Sequence, residues 1–310
     1  MTVSAVVKSA GRRFFRSQPR LATRLLRLPG LVPQRTLRSR LYRSFSWSLA
    51  LRIHTEAEVS VAGGSKMIVN TDDLLGRVLA ISGVWEPNIT AAFEHALRPG
   101  DVCVDIGAHV GYYTLLAARN VGPLGHVYAF EPSPYNYRRL RANVDLNRLA
   151  NVTAVESAVG AEHGRSVLYE GPPWNSGIST LDPILAAKQT SPTREVTVDV
   201  APATAVIPAE DLARVRVIKI DVEWQELEVL RSLTPVFEAA GSLAVFLELT
   251  PRRAAPNVFE ELLALSEPYG FTIFVVPNGY SPERQIPDRL EEPARLDAIP
   301  AKQTDLLLLR

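Results

Sequence analysis

Residues 104–114 read VDIGAHVGYYT: two glycines, Gly107 and Gly111, stand four apart just after an apolar run that holds a carboxylate, Asp105. The run VCVDI (102–106) follows the breaker Pro99-Gly100 and reads as a buried strand, and VGYYTLLAARN reads as a helix. A strand, a tight glycine loop and a helix form the unit of an open α/β sheet, in which ligands bind beyond the carboxyl ends of the strands. Glycine lets the backbone come close to a ligand because no Cβ intervenes. The spacing is DxGxxxG, whereas a dinucleotide loop reads GxGxxG and aims a helix N-terminus at a pyrophosphate. An acid at the start of the loop suits a ligand with an ammonium group rather than a phosphate.

Strands and helices alternate outward from this stretch. HVYAFE (126–131) reads as a strand, SPYNYRRLRANVDLNRL as a long amphipathic helix and NVTAVESAV as a strand. VRVIKID (215–221), SLAVFLEL, FTIFVV and the terminal TDLLLLR read as further strands, with WQELEVLRSL and FEELLALSEPYG as helices between them. Such alternation with nearly continuous apolar strands predicts an α/β, doubly wound, mostly parallel sheet with helices on both faces. Upstream, EVSVAGGSKMIV reads as a β-hairpin turning at Gly63-Gly64, and DDLLGRVLAI and EPNITAAFEHAL as two helices. The expected organisation is a basic arm over 1–55 and a main domain over 56–310. That domain has a lead-in at 56–100 and an insertion of short strands at 170–215 that folds over the site.

The second strand ends at Glu131, 26 residues after Asp105. An acid there accepts hydrogen bonds from both hydroxyls of a ribose. A nucleoside without phosphate and with a cationic tail describes S-adenosylmethionine.

The blocks KMIVNTDDLLGRVLAISGVWEPNI, PGDVCVDIGAHVGYYTLLAA, VYAFEPSPYNYRRLRANVDLN, NVTAVESAVG, NSGISTL, VIKIDVEWQELEVL and VFLELTP, in this order over about 60–250, resemble FkbM-family methyltransferases. The resemblance implies a class I methyltransferase (Rossmann-like) fold with a seven-stranded sheet and S-adenosylmethionine as methyl donor. It also implies O-methylation of a hydroxyl on a sugar, glycolipid or other small-molecule natural product. Asp105, Gly107, His109 and Gly111 then line the cofactor loop, Glu131 holds the ribose, and Ser157 is a candidate for the adenine side. Asp221 and Glu223 straddle the end of the fourth strand and are the candidate bases that take the acceptor's proton; Glu248 is a third, and Lys219 reads as structural. The chain departs from the family pattern where Glu-Gly-Ala-Glu becomes Glu223-Trp224-Gln225-Glu226, and where a Leu-Asp pair becomes Thr204-Ala205. Two alternatives follow: an RNA methyltransferase, since EPSPYNYRRLRANVDLN also resembles tRNA-modifying enzymes, and a cofactor-binding protein without turnover, motivated by Trp224.

The net charge of +1 hides an asymmetry. Residues 1–55 hold Lys8 and eleven arginines with no acid before Glu56, so the arm carries +12 and the remainder −11. Leu21, Leu25 and Leu28 share one face of a helix opened by Pro19, and Leu37, Leu41, Phe45 and Leu49 repeat at i+4. Such a basic amphipathic arm either packs its leucines on the main domain or lies on an anionic membrane surface; nucleic acid is the less favoured partner. The single cysteine, Cys103, reads as a small buried hydrophobe, and five scattered histidines carry no metal-binding spacing. No run reaches the ~18 apolar residues of a spanning helix, and arginines interrupt the stretch after GRRFFRS where an export signal needs apolar residues. The expected location is cytoplasmic, peripheral to a membrane through the arm, with a mitochondrial presequence as the alternative reading of the same composition.

Overall fold

The computed structural model describes residues 18–27, 29, 35–46, 50, 55–172, 174–188, 194–251 and 257–310. They form two compact units: one from the described residues within Met1–Thr90, Pro173–Asn175 and Asn278–Leu290, the other from Ala91–Pro172, Ser176–Pro277 and Glu291–Arg310.

In the first unit, helices α1 (Pro19–Leu26) and α2 (Arg35–Leu41) precede an antiparallel hairpin of β1 (Glu56–Ser60) and β2 (Lys66–Asn70). Helix α3 (Leu74–Ser82) opens where the Asp73 carboxylate accepts the Leu75 N–H and stops at left-handed Gly83. Arg27, at the end of α1, donates to the carbonyls of Leu79 and Ala80 in the last turn of α3 and to Ser60 of the hairpin at 2.7 Å. It adds donors at a helix end, where the Leu79 carbonyl also accepts the Gly83 N–H. Arg43 donates to the Ile286 carbonyl and pairs with Asp288. These arginines are therefore spent on packing. The leucine stripe differs from expectation: Leu26 is fully buried while Leu21 and Leu37 are exposed. Leu28 and Leu49, and the Phe45 side chain, lie outside the described residues. Helix α4 (Pro87–Ala96) follows.

The second unit is built on a sheet ordered β12-β11-β13-β10-β9-β3-β4-β5. Its strands are β3 (Val102–Ile106), β4 (His126–Phe130), β5 (Val152–Val155), β9 (Val215–Ile220), β10 (Ala244–Leu249), β11 (Thr272–Val275), β12 (Ala294–Arg295) and β13 (Thr304–Leu309). Strands β5, β4, β3, β9 and β10 are parallel, and β13 runs antiparallel between β10 and β11. This is the class I methyltransferase sheet; the two-residue β12 adds an eighth strand at the edge. Chain order reverses at β3, so the crevice for a ligand lies beyond its carboxyl end. Alternation along the strands makes two faces. Val102, Val104 and Ile106 pack with Ile218, Ile220, Val245 and Leu247 against Val229, Leu230, Val236, Phe237, Phe259 and Leu262 of the helices that follow β9 and β10. On the other face Phe246 meets Phe93, and Phe93 meets Tyr113.

The segment NVTAVESAV is two strands rather than one. It bends at Glu156–Ser157, where the Ser157 hydroxyl donates to the carbonyls of Ala158 and Asp199, and Ala158–Val159 (β6) leaves the central sheet to pair with β8 (Arg194–Ala201). β7 (Gly164–Glu170) completes this small sheet antiparallel to β8, and it begins six residues before the expected insertion.

Candidate active site

β3 and β4 deliver the first half of the site. Gly107 and Ala108 both donate to the Phe130 carbonyl, at 2.9 and 3.0 Å, which folds the loop after β3 across the end of β4. Gly107 has φ +80°, and a Cβ there would stand 1.8 Å from the Asp221 carbonyl oxygen; Gly111 has φ +96°, and its Cβ would meet Leu140 at 2.7 Å. Both glycines hold left-handed backbone, and at Gly107 the main-chain carbonyl of Asp221 also excludes a side chain. The Asn143 amide, fully buried on the helix Pro134–Leu146, holds the Val110 carbonyl at 2.9 Å and fixes the loop from the other side.

Glu131 stands at the end of β4, 4% exposed. Its Oε2 accepts the His109 N–H at 2.7 Å, its Oε1 accepts the Ser133 N–H at 2.9 Å, and the Asn136 side chain also hydrogen-bonds to it. Burial outweighs these donors and pushes its pKa up to about 7. Three donors leave about one acceptor position of the carboxylate for a ligand hydroxyl. The Asn136 Oδ1 is buried without a hydrogen-bond partner, an unused acceptor beside Glu131. These two features fit the ribose of S-adenosylmethionine.

Asp105 is 1% exposed and accepts the Thr114 hydroxyl at 2.5 Å, together with the Thr114 N–H in the first turn of the helix Tyr112–Val121. Burial raises its pKa to about 6. Directly across in register lies Lys219, itself buried, whose Nζ reaches Asp221 at 3.1 Å and lies 5.3 Å from the centre of the Tyr113 ring. Asp105 thus acts on the site through its charge and through the helix it caps, and Lys219 links it to the end of β9.

The second half of the site is the turn after β9. Asp221 donates its N–H to the Ile106 carbonyl at 2.9 Å, which sets the end of β9 against the loop after β3. Glu223 and Trp224 follow with φ +49° and +81°, two consecutive non-glycine residues in the left-handed region. Each costs roughly 1–2 kcal/mol there, and a glycine at the second position would adopt the conformation freely. The turn is held by contacts. Thr180 donates to the Glu223 carbonyl at 2.6 Å, the Trp224 N–H donates to Glu226 at 2.9 Å, and the Lys188 ammonium lies 4.9 Å from the centre of the indole. Burial and the nearby carboxylates of Asp221, Glu248 and Glu226 drive the Glu223 pKa well above the usual carboxylate range, and Glu226 is pushed to about 7. Glu248 accepts from Gln303. Among the described residues no group of three or more His, Cys, Asp or Glu side chains is arranged to hold a metal ion.

The structure therefore brings Asp105, Gly107, His109, Gly111 and Glu131 together at the ends of β3 and β4 and sets Asp221 and Glu223 beside them, while the Ser157 hydroxyl is committed to main-chain carbonyls. Sequence reasoning missed Asn136, Asn143, Ser176 and Thr180. Asn136 and Asn143 are seven apart on one buried helix face, a polar pair within an amphipathic pattern that could have marked them.

A family model described as the methyltransferase FkbM domain matches residues 105–273. Methyltransferase 1 of Beauveria bassiana is 32% identical over 159 residues, covering 47% of this chain and 64% of that protein. The 31-O-demethyl-FK506 methyltransferase FkbM of Streptomyces tacrolimicus is 28% identical over 199 residues, covering 57% and 75%. The hexuronic acid methyltransferase AglP of Haloferax volcanii is 24% identical over 200 residues, covering 63% and 75%. The chain thus spans just under two thirds of the first relative and three quarters of the other two.

Proposed function

This chain belongs to the FkbM methyltransferase family, and from that premise we propose that it methylates a hydroxyl group on a sugar, a glycolipid or another small-molecule natural product. The observation that carries this reading is the contact between the two halves of the site: the loop after β3 packs on the Asp221 carbonyl, and the Glu223 carboxylate follows two residues later in a left-handed turn. S-adenosylmethionine, when bound, supplies a methyl group on a sulfonium, and Glu131 with the 107–111 loop would hold its nucleoside and tail. An acceptor oxygen gains the methyl carbon as the carbon–sulfur bond breaks with its electron pair going to sulfur. The hydroxyl proton passes to a carboxylate of this chain. We assign that role to Glu223, which stands in the turn beyond β9 and acts in its ionised form; Asp221, paired with Lys219, orients the turn. The Streptomyces and Haloferax relatives, a 31-O-demethyl-FK506 methyltransferase and a hexuronic acid methyltransferase by name, support a hydroxyl-bearing small acceptor.

No helix among the described residues is long and apolar enough to cross a membrane. We propose a cytoplasmic protein whose exposed Arg24 and Arg40 touch anionic lipid, Arg27 and Arg43 of the same arm being used in packing.

The test is incubation with methyl-tritiated S-adenosylmethionine and a panel of hydroxylated acceptors that includes free and lipid-linked hexuronic acids, with the product's linkage read by NMR. Label on oxygen, lost by about 10²–10⁴-fold in Glu223→Gln while cofactor affinity stays within about threefold, is the expected result. Label on nitrogen or carbon overturns the reading.

A further inference from the structure

The motif NSGISTL is explained by neither half of the site alone, because its residues touch both. Ser176, at the start of the short turn Ser176–Ile178, shares a 2.6 Å hydrogen bond with His109 Nε2. The main chain of that same His109 donates to Glu131 at 2.7 Å. Ser179 then ties the turn to itself and to its stem: its hydroxyl donates to the Ser176 carbonyl at 2.8 Å and accepts the Gly171 N–H at 3.0 Å. Thr180, 1% exposed, exchanges both main-chain hydrogen bonds with Tyr169 and spends its hydroxyl on the Glu223 carbonyl at 2.6 Å. The same hydroxyl accepts the Asp182 N–H, and Asp182 caps the helix Pro183–Lys188, whose last residue lies over the Trp224 ring.

One short segment thus holds the ribose-side loop at His109 and the left-handed turn at Glu223–Trp224. We infer that residues 176–188 form a strap whose Ser176 and Thr180 are positioning residues, transmitting occupancy of the nucleoside side to the turn that carries the catalytic carboxylate and Trp224. The strap gives the inserted segment a role in the reaction itself: the turn is drawn into its working geometry when the cofactor loop is engaged. The inference rests on the cofactor reading above. It predicts that a ligand held only at Glu131 and the 107–111 loop changes the surroundings of the Trp224 ring, although the ligand need not touch it.

The experiment is ¹⁹F NMR of the full chain labelled with 5-fluorotryptophan, titrated with S-adenosylhomocysteine, with calorimetry on the same samples. The Trp224 resonance is assigned by its loss in Trp224→Phe. In the unmodified chain that resonance shifts on saturation. In Ser176→Ala and Thr180→Val the shift is lost at concentrations where calorimetry shows saturation, and Ser176→Ala weakens binding by roughly two- to tenfold, as expected for one lost hydrogen bond. Thr180→Ser, which keeps the hydroxyl, restores the response and separates positioning from folding. A Trp224 resonance that moves equally in Ser176→Ala and Thr180→Val, or that stays still in the unmodified chain while heat reports binding, overturns the strap. Absence of binding heat in the folded unmodified chain overturns the cofactor reading, and the strap with it.

Discussion

Glu131 accepts two main-chain N–H groups and the Asn136 side chain, and its remaining acceptor position, with the unpaired Asn136 Oδ1 beside it, is what we propose meets the ribose. Hydroxyl groups donate best to the ionised form, and burial has brought its pKa to about 7. Below that value the cofactor must first displace a proton, so affinity falls as the pH drops. Calorimetry at pH 8 and pH 6 should show about a tenfold weaker Kd at the lower pH, and Glu131→Ala should weaken binding by at least tenfold at pH 8. A flat profile in the unmodified chain would remove Glu131 from the ribose. Gly107 makes a different demand: alanine there meets a main-chain carbonyl that cannot move without shifting β9, and it also takes on a left-handed backbone. Gly107→Ala should cost roughly 2–4 kcal/mol, read as a lowered urea midpoint with unchanged slope. Asp105 and both glycines were legible in the sequence as a spacing. Their partners were not, because Asp221 and Leu140 approach the loop from far along the chain.

The turn after β9 places two consecutive non-glycine residues in the left-handed region. Trp224 stands at φ +81°, where a glycine would be relaxed, and its ring faces Lys188. An exposed cation–π contact is worth about 0.5–1 kcal/mol, less than the strain of one left-handed non-glycine residue. Trp224→Gly should therefore leave stability within about 1 kcal/mol, relief of strain being offset by lost contacts and by the freedom glycine gains when unfolded. Thermal unfolding measures this, and a loss above about 3 kcal/mol would mean that the indole is a packing residue. Strands and helices around the turn were legible because their apolar periods are long: β3, β9 and the helix Pro134–Leu146 follow directly from pattern. The split of NVTAVESAV was not, since the bend depends on the Ser157 hydroxyl reaching Asp199, 42 residues away. Lys219 was read as structural from its place in an apolar strand; its neighbour Asp105 becomes visible only once β3 and β9 are in register.

Across the molecule, net positive charge is concentrated in residues 1–55, while the candidate site holds a group of acids. Asp105, Glu131, Glu223 and Glu226 are each held more basic in the fold than carboxylates in water, chiefly by burial. Protons bind these groups more tightly in the folded state, so the contribution of Asp105, Glu131 and Glu226 to stability is full below about pH 4 and is lost as pH rises through about 6 to 7. The ligand-free protein should melt at a lower temperature at pH 8 than at pH 6, and a reversed order would contradict the burial of these acids. The fold class was legible from alternation alone, and the cofactor half from two acids and two glycines. The strap was not, since Ser176 meets a histidine ring 67 residues away and Thr180 a main-chain carbonyl, contacts that no periodicity marks. The most direct test of the account is calorimetric titration of the full chain with S-adenosylmethionine at pH 8, with NAD in parallel and Glu131→Ala as the second protein. The account predicts micromolar binding of S-adenosylmethionine, about −8 kcal/mol, no heat with NAD, and at least tenfold weaker binding in Glu131→Ala. Folded protein that binds NAD instead, or that binds S-adenosylmethionine equally well without the Glu131 carboxylate, would contradict it.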